Sequence, residues 1–287
     1  MTRTSNDRRF LARPVLVLLA LSISAGFYGY SLRKPAGPDH GTQLASSIVP
    51  SHDAVPTLRI ATFNIHAGKG LDERTDLNRI AAMLGGYDIV VLNEVLGDSW
   101  NTPNQARQLG NLLEMPWLFA PTERRYGRDY FGNGLLCNLL VRSWHRIPLV
   151  TTRDKGFRNM ILAVVKYQGV DIRLLGVHLD SHDDRLDHLE ACLTFFDTLA
   201  VPAILLGDFN TRAADLQSLS WPSGQDTHLI TSELKRPDGR LPLDHIFIKG
   251  LEVIDCQLIP TDASDHPLIT AELKLLDDLT GINDSDN

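Results

Sequence analysis

Six short clusters of amides, carboxylates and imidazoles are set along this chain of 287 residues. They are Thr62-Phe63-Asn64-Ile65, Asn93-Glu94-Val95, Gly176-Val177-His178-Leu179, Gly207-Asp208-Phe209-Asn210, Leu243-Asp244-His245-Ile246 and Ser264-Asp265-His266-Pro267. In the fourth, Asp208 and Asn210 are two residues apart at the end of an apolar run. A carboxylate there can orient or deprotonate a water, and an amide can bind that water or a phosphate oxygen. The blander reading is an Asp-Asn turn closing a strand. Adjacent Asp265 and His266 point different ways, so one can meet a metal while the other faces a substrate. A turn with an N-cap-like Ser or Asp is the alternative. Asp244, leading a strand, can hold the Nδ1 proton of a catalytic histidine.

These residues need elements to position them. Short apolar runs recur as LRIATFN, DIVVLNE, NGLLCNLLV, MILAVVKY, DIRLLGVHL, PAILLGDF, LDHIFI and HPLITAELKL. Helical spacing predicts helices over 75–84, through Leu77, Ile80, Ala81 and Leu84, and over 183–199, through Leu186, Leu189, Leu193 and Phe196. Alternating strands and helices imply an α/β domain. Asn64, Glu94, His178 and Asp208 fall at or just past strand ends, which suits a site assembled along one edge of a sheet.

Taken in order, the six clusters resemble the endonuclease/exonuclease/phosphatase superfamily across 58–275. That resemblance implies a four-layer sandwich of two packed mixed β-sheets flanked by helices. It implies Glu94 as the principal Mg²⁺ ligand, with Asn64 and Asp265 close to the metal and Mn²⁺ as a substitute. Asp208 and Asn210 would position and activate the attacking water, His178 would donate to the scissile phosphate, and His266 would be held by Asp244. Whether Asp208 or His266 is the general base is left open. Arg158 resembles a phosphate-contacting arginine, and Asn133 resembles the family's Gly-Asn element facing the substrate. The usual Ser and basic residue after that element are replaced by Leu136-Cys137-Asn138, and Asn93 stands where Gln is usual.

Rate arithmetic also points to a metal. Phosphate-ester hydrolysis needs acceleration of about 10¹⁷ or more, and one acid or base supplies about 10² to 10⁴. Charge neutralisation must supply much of the rest, and a Glu, Asp and Asn donor set suits Mg²⁺ or Mn²⁺ over zinc. His178 and His182 are spaced four apart as in helical zinc sites, but His178 ends a strand.

Domain organisation follows from composition. Arg8, Arg9 and Arg13 precede an apolar, uncharged run from Val15 to Tyr30, so residues 1–30 read as a signal peptide or signal anchor. Residues 31–57, rich in Pro, Gly and Ser, read as a flexible linker, 58–276 as the catalytic domain, and 277–287 as an acidic tail. With 43% hydrophobic and 22% charged residues the chain is ordinary globular material, and a net charge of -7 argues against a surface that coats nucleic acid. Cys137, Cys192 and Cys256 lie in apolar stretches and read as buried free thiols.

The expectation is an exported or membrane-anchored, extracytoplasmic, monomeric phosphodiesterase. Its substrate would be a nucleic acid first; the alternative is a phospholipid or sphingomyelin-type lipid phosphodiesterase, or a phosphatase. A silent binding module is disfavoured because every motif position is filled. The segment 123–130, with three arginines and two tyrosines, can grip phosphates and stack on a base or headgroup, or be a solvated loop. The sequence shows neither a dedicated hydrophobic lipid-docking hairpin nor a clear DNA-reading insertion.

Overall fold

The computed structural model describes residues 21–24, 26, 28, 32–45, 56–150, 156–218, 227–276 and 279. Most of the signal or anchor stretch and nearly all of the acidic tail lie outside them. Among the described residues no helix is long and apolar enough to cross a membrane. In chain order the strands are β1 (Lys34–Pro35), β2 (Asp39–Gly41), β3 (Leu58–Asn64), β4 (Ile89–Leu96), β5 (Trp117–Arg125), β6 (Arg128–Cys137) and β7 (Leu140–Pro148). They continue as β8 (Asn159–Tyr167), β9 (Val170–His178), β10 (Ala203–Asp208), β11 (Thr227–Leu229), β12 (Asp244–Lys249), β13 (Leu251–Ile259) and β14 (Leu268–Leu275). The α-helices with defined bounds are α1 (Leu77–Leu84), α2 (Gln105–Leu113), α3 (Arg185–Thr198) and α4 (Ala213–Gln217).

Two seven-stranded sheets form, in the orders β1-β5-β6-β4-β3-β14-β13 and β11-β12-β10-β9-β8-β7-β2. Each is mixed, with one parallel pair at its centre: β3 with β4, and β9 with β10. The central strands read as unbroken apolar runs because both of their faces are covered. Leu58 and Ile60 of β3 enter the core between the sheets with Ile204 and Leu206 of β10. The alternate residues Ala61 and Phe63 pack under α1 and α2, and Leu175 and Val177 pack under α3. The result is the expected four-layer sandwich.

Local chemistry sets the boundaries. Asp76 caps α1, its carboxylate accepting from the Asn78 N–H at 2.9 Å. The run NGLLCNLLV, read as one strand, is two strands of different sheets. Asn138 and Leu139 break it, and the chain crosses there from β6 to β7. Part of the stretch read as a linker is built into the fold. β1 pairs with β5, and β2 pairs with β7, so residues 34–41 supply an edge strand to each sheet. The three cysteines are free; Cys137 and Cys192 are buried and Cys256 is half-buried.

Candidate active site

Asn64, His178 and Asp208 are the last residues of β3, β9 and β10. The parallel pairing of β9 with β10 sets His178 beside Asp208, and antiparallel pairing sets Asp244, the first residue of β12, on the other flank. Gly207 is required just before Asp208, because a Cβ there would lie 1.9 Å from the Val177 carbonyl oxygen. Asn210 adopts a left-handed backbone (φ 48°), which Asn tolerates better than most residues. Its N–H donates to Asp208 Oδ1 at 2.8 Å and its amide donates to the Leu179 carbonyl at 3.0 Å.

Glu94 reaches the site by another route. It lies inside β4, where the register with β6 shifts between Leu92 and Val95, and its φ is 57°. Such a bulge re-aims side chains. Asn93 turns inward: its amide donates to Asn133 Oδ1 (3.0 Å) and to the Val177 carbonyl (2.9 Å). Its Oδ1 accepts from the Asp208 N–H at 3.1 Å. Glu94 instead places Oε1 3.2 Å from Asn64 Nδ2.

Asp208 Oδ2 is the focal atom. Asn64 Nδ2 donates to it at 3.0 Å, His178 Nε2 stands at 3.6 Å and His266 Nε2 at 3.9 Å. The last two separations exceed a direct hydrogen bond and suit an intervening water or phosphoryl oxygen. His266 Nδ1 is fixed on Asp244 Oδ2 at 2.7 Å. The Ser264 hydroxyl donates to the Asn64 carbonyl at 2.7 Å, which draws the segment 264–266 onto the end of β3. Asp265, half-exposed, lies 3.5 Å from His66 Nδ1, and its carbonyl accepts two bonds from the Arg236 guanidinium, each 3.2 Å.

The buried charges shift one another. Burial, then Asp244, pushes the Asp208 carboxyl up to about 7, with His266, the Asn210 N–H and Asn64 holding it lower than it would otherwise be. For His266 burial disfavours the cation, but Asp244, Asp208 and Asp265 outweigh that and raise it to about 10. His178 is held well below the usual imidazole value by burial, then by Arg158 and His266, so it is neutral.

Two sets of donors could hold a cation. Asn64, Glu94 and Asp265 carry oxygens of the hard kind that Mg²⁺ takes, with Asn64 turning Nδ2 to Glu94 and its Oδ1 accepting from the His66 N–H at 3.1 Å. Asp208, Asp244 and His266 offer one ligand atom each within 4.8 Å of one another. Asp244 Oδ1 is buried without a hydrogen-bond partner, but an imidazolium already occupies the bond to Asp244 Oδ2. The trio therefore fits proton handling, and the Glu94 carboxylate, bonded to Asn64 alone among the contacts described, is the donor beside it with room for a divalent ion.

Of the residues expected at the site, Asn64, Glu94, His178, Asp208, Asn210, Asp244 and His266 are joined by direct contacts, while the Asp265 carboxylate turns to His66. Arg158 is pinned nearby, donating from Nε to the Leu179 carbonyl at 3.1 Å, with Asp180 Oδ1 3.7 Å from Nη2. Asn133 is placed elsewhere. It is fully buried, accepting from Asn93 and donating to Asn159 Oδ1 at 3.0 Å. Sequence reasoning missed Asn93 as a brace, although it stood beside Glu94 as a departure from the usual residue. It also missed Arg236, for which the sequence carries no signal.

Comparison with known proteins agrees with this fold. The family model described as Endonuclease/Exonuclease/phosphatase family matches residues 61–266. A UPF0294 protein of Vibrio vulnificus is 39% identical over 84 residues, 24% of this chain and 27% of that protein. One from Yersinia pestis is 45% identical over 74 residues, 24% of this chain and 28% of that protein. The chain thus spans about a quarter of the length of these curated relatives. Among solved structures, an endonuclease/exonuclease/phosphatase of Beutenbergia cavernae has a TM-score of 0.60 at 20% identity, covering 77% of this chain and 72% of that one. TDP2 of D. rerio, complexed with single-strand DNA product, has a TM-score of 0.57 at 19% identity, covering 77% of this chain and all of that one.

Proposed function

The chain belongs to the endonuclease/exonuclease/phosphatase family of phosphoester hydrolases, and we propose that it is a divalent-metal-dependent phosphodiesterase acting outside the cytoplasm. The observation that carries this is the convergence of Asn64, His178 and His266 on one oxygen of buried Asp208. Asn64, Glu94 and Asp265 would hold Mg²⁺ or Mn²⁺, which would neutralise phosphoryl charge.

Asp208 takes the proton of the attacking water. Its pKa of about 7 leaves it an available base near neutrality. His266, at about 10, keeps its proton there and donates from Nε2 to the phosphoryl oxygen, oriented by Asp244. Neutral His178 supplies a second polar contact, and Asn210 steadies the Asp208 carboxylate through its backbone N–H.

A nucleic acid is the first substrate class, supported by the DNA product held by the similarly folded TDP2. A lipid headgroup is the second reading, supported by the apolar segment Val15–Tyr30. The test is hydrolysis by the full chain, with Mg²⁺ and with EDTA, of single- and double-stranded DNA, RNA, sphingomyelin, phosphatidylinositol and a bis-aryl phosphate. We expect EDTA-sensitive cleavage of one class, reduced at least about 10²-fold in Glu94→Ala and in His266→Ala. Unchanged hydrolysis in either variant would overturn the site.

A further inference from the structure

We propose that the end of the molecule formed by the β5–β6 hairpin and the loop 97–103 docks on a bilayer surface containing anionic lipid. The inference does not depend on which phosphodiester is cleaved.

The first support is where the chain enters the domain. β1 is antiparallel to β5, with Pro35 opposite Glu123 and Lys34 opposite Arg124. Traced backward from Lys34, the chain therefore runs along β5 toward Arg125 and Tyr126 at the hairpin tip. Arg33 holds it there, donating from Nε to Glu123 Oε2 at 2.6 Å. The apolar run ends at Tyr30, four residues before Lys34, a reach of at most about 14 Å. Within that run Leu21, Ile23 and Tyr28 are all exposed. If the run is lipid-embedded, the hairpin tip must lie near the headgroups.

The second support is the chemistry of the tip, which the sequence alone did not assemble. Trp100, which lies in no obvious motif, is 86% exposed, and the Arg128 guanidinium stacks on its ring at 3.8 Å. Arg125 sits over the rings of Tyr126 (5.0 Å) and Tyr130 (5.8 Å), and both tyrosines are exposed. Trp and Tyr prefer the headgroup region of a membrane, and arginines beside them match lipid phosphates. Over residues 32–36, 97–103 and 122–130 five cations face three carboxylates, in a chain of net charge -7. Of those carboxylates, Glu123 is paired with Arg33 and Asp129 with Arg124.

The third support is orientation. Beyond Glu94, β4 runs on through Val95 opposite Gly132 and Leu96 opposite Phe131, and the Gly97 N–H bonds the Tyr130 carbonyl at 2.8 Å. Three residues of strand separate Glu94 from Gly97, and three more along β6 lead from Tyr130 to Gly127 at the turn, about 20 Å in all. Docking by this surface holds the reactive end of the sandwich close to the membrane.

The test uses the full chain in vesicles of phosphatidylcholine, with or without phosphatidylglycerol, carrying brominated acyl chains that quench tryptophan. No tryptophan precedes Trp100, so insertion of the apolar run is itself silent. We expect quenching in the wild type that is mostly lost in Trp100→Phe, kept in Trp144→Phe, and weakened in Arg128→Gln only where phosphatidylglycerol is present. Glu94→Ala should be quenched like the wild type, which separates docking from hydrolysis. Equal quenching in Trp100→Phe, or no quenching although the chain floats with the vesicles, would overturn the proposal. So would a Trp100 emission change caused by a single-stranded oligonucleotide and not by vesicles, which would assign the surface to nucleic acid.

Discussion

Replacing Asn93 by Ala should both loosen the sandwich and disarm the site. The Asn93 side chain makes three buried hydrogen bonds: to Asn133 Oδ1, to the Val177 carbonyl and from the Asp208 N–H. Each is worth about 1 kcal/mol net, and a buried N–H left without a partner costs about 1–3 kcal/mol. Asn133 can turn toward Asn159, and a carbonyl tolerates losing one of two acceptor sites, so the Asp208 N–H carries most of the excess. The sum is about 3–5 kcal/mol. With a urea slope near 3 kcal/mol/M, the unfolding midpoint should fall by about 1 to 1.5 M.

The same change frees the backbone that carries Asp208. A displacement of about 1 Å in a positioned group costs about 10²-fold in rate, so kcat should fall by that order under conditions where the variant is still folded. Asn133→Ala breaks the chain of amides one link further from Asp208. It should lose stability but much less kcat, and a double-mutant cycle should give a coupling of about 1 kcal/mol or more between the two positions. Urea melts followed by circular dichroism, with steady-state kinetics on the same preparations, measure both quantities. A wild-type midpoint for Asn93→Ala, or equal kcat losses in the two variants, would refute the idea that Asn93 links sheet packing to Asp208.

Other outcomes follow from single contacts. Asp244→Asn removes the negative charge that raises His266, so the His266 pKa read by NMR should drop from about 10 toward the ordinary imidazole value, and kcat should fall about 10² to 10⁴-fold. Lys249, almost fully buried, donates to the Phe196, Asp197 and Leu199 carbonyls at the end of α3. Lys249→Met should cost about 2–4 kcal/mol in urea unfolding by leaving them unpaired. His245 donates from Nε2 to the Thr211 carbonyl (2.9 Å) and faces the Thr231 hydroxyl through Nδ1 (2.9 Å); burial holds its pKa below 6.5. The unfolded chain thus takes up this proton first, so stability should decline as pH falls below about 6.5. The decline should be shallower in His245→Gln, as followed by thermal unfolding across the pH series.

The central strands and the site were legible because both obey short-range rules. β3, β9 and β10 are buried on two faces and so appear as apolar runs, and each ends on the polar residue it delivers. β13 was missed because most of its residues are exposed, leaving no period to read. β5 was hidden by Pro121 and the charged Glu123-Arg124-Arg125 that follows it. α2 was missed because QARQLGNLL is polar and contains Gly110, although Asn104 caps it by accepting from the Arg107 N–H at 2.8 Å. The strand pairing of 34–41 depends on partners about 90 to 105 residues away, which local composition does not carry.

The bulge at Asn93 and Glu94 explains why these two residues act as a unit. In a regular strand neighbours face opposite sides of the sheet, so one would enter the core and the other would lie beneath α1 and α2. The register shift and the left-handed Glu94 backbone break that alternation at the strand end. Asn93 then crosses to the second sheet and fixes the height of Asp208, while Glu94 stays on the rim next to Asn64. The carboxylate of one sheet and the carboxylate of the other are thereby set against the same Asn64 amide, at 3.2 and 3.0 Å. A lengthening of the side chain at 93 would act on both at once, through the Asp208 N–H it holds and the backbone turn it shares with Glu94. The Asn93 amide is therefore part of the geometry of the candidate site, through the bonds it makes to the Val177 carbonyl and from the Asp208 N–H.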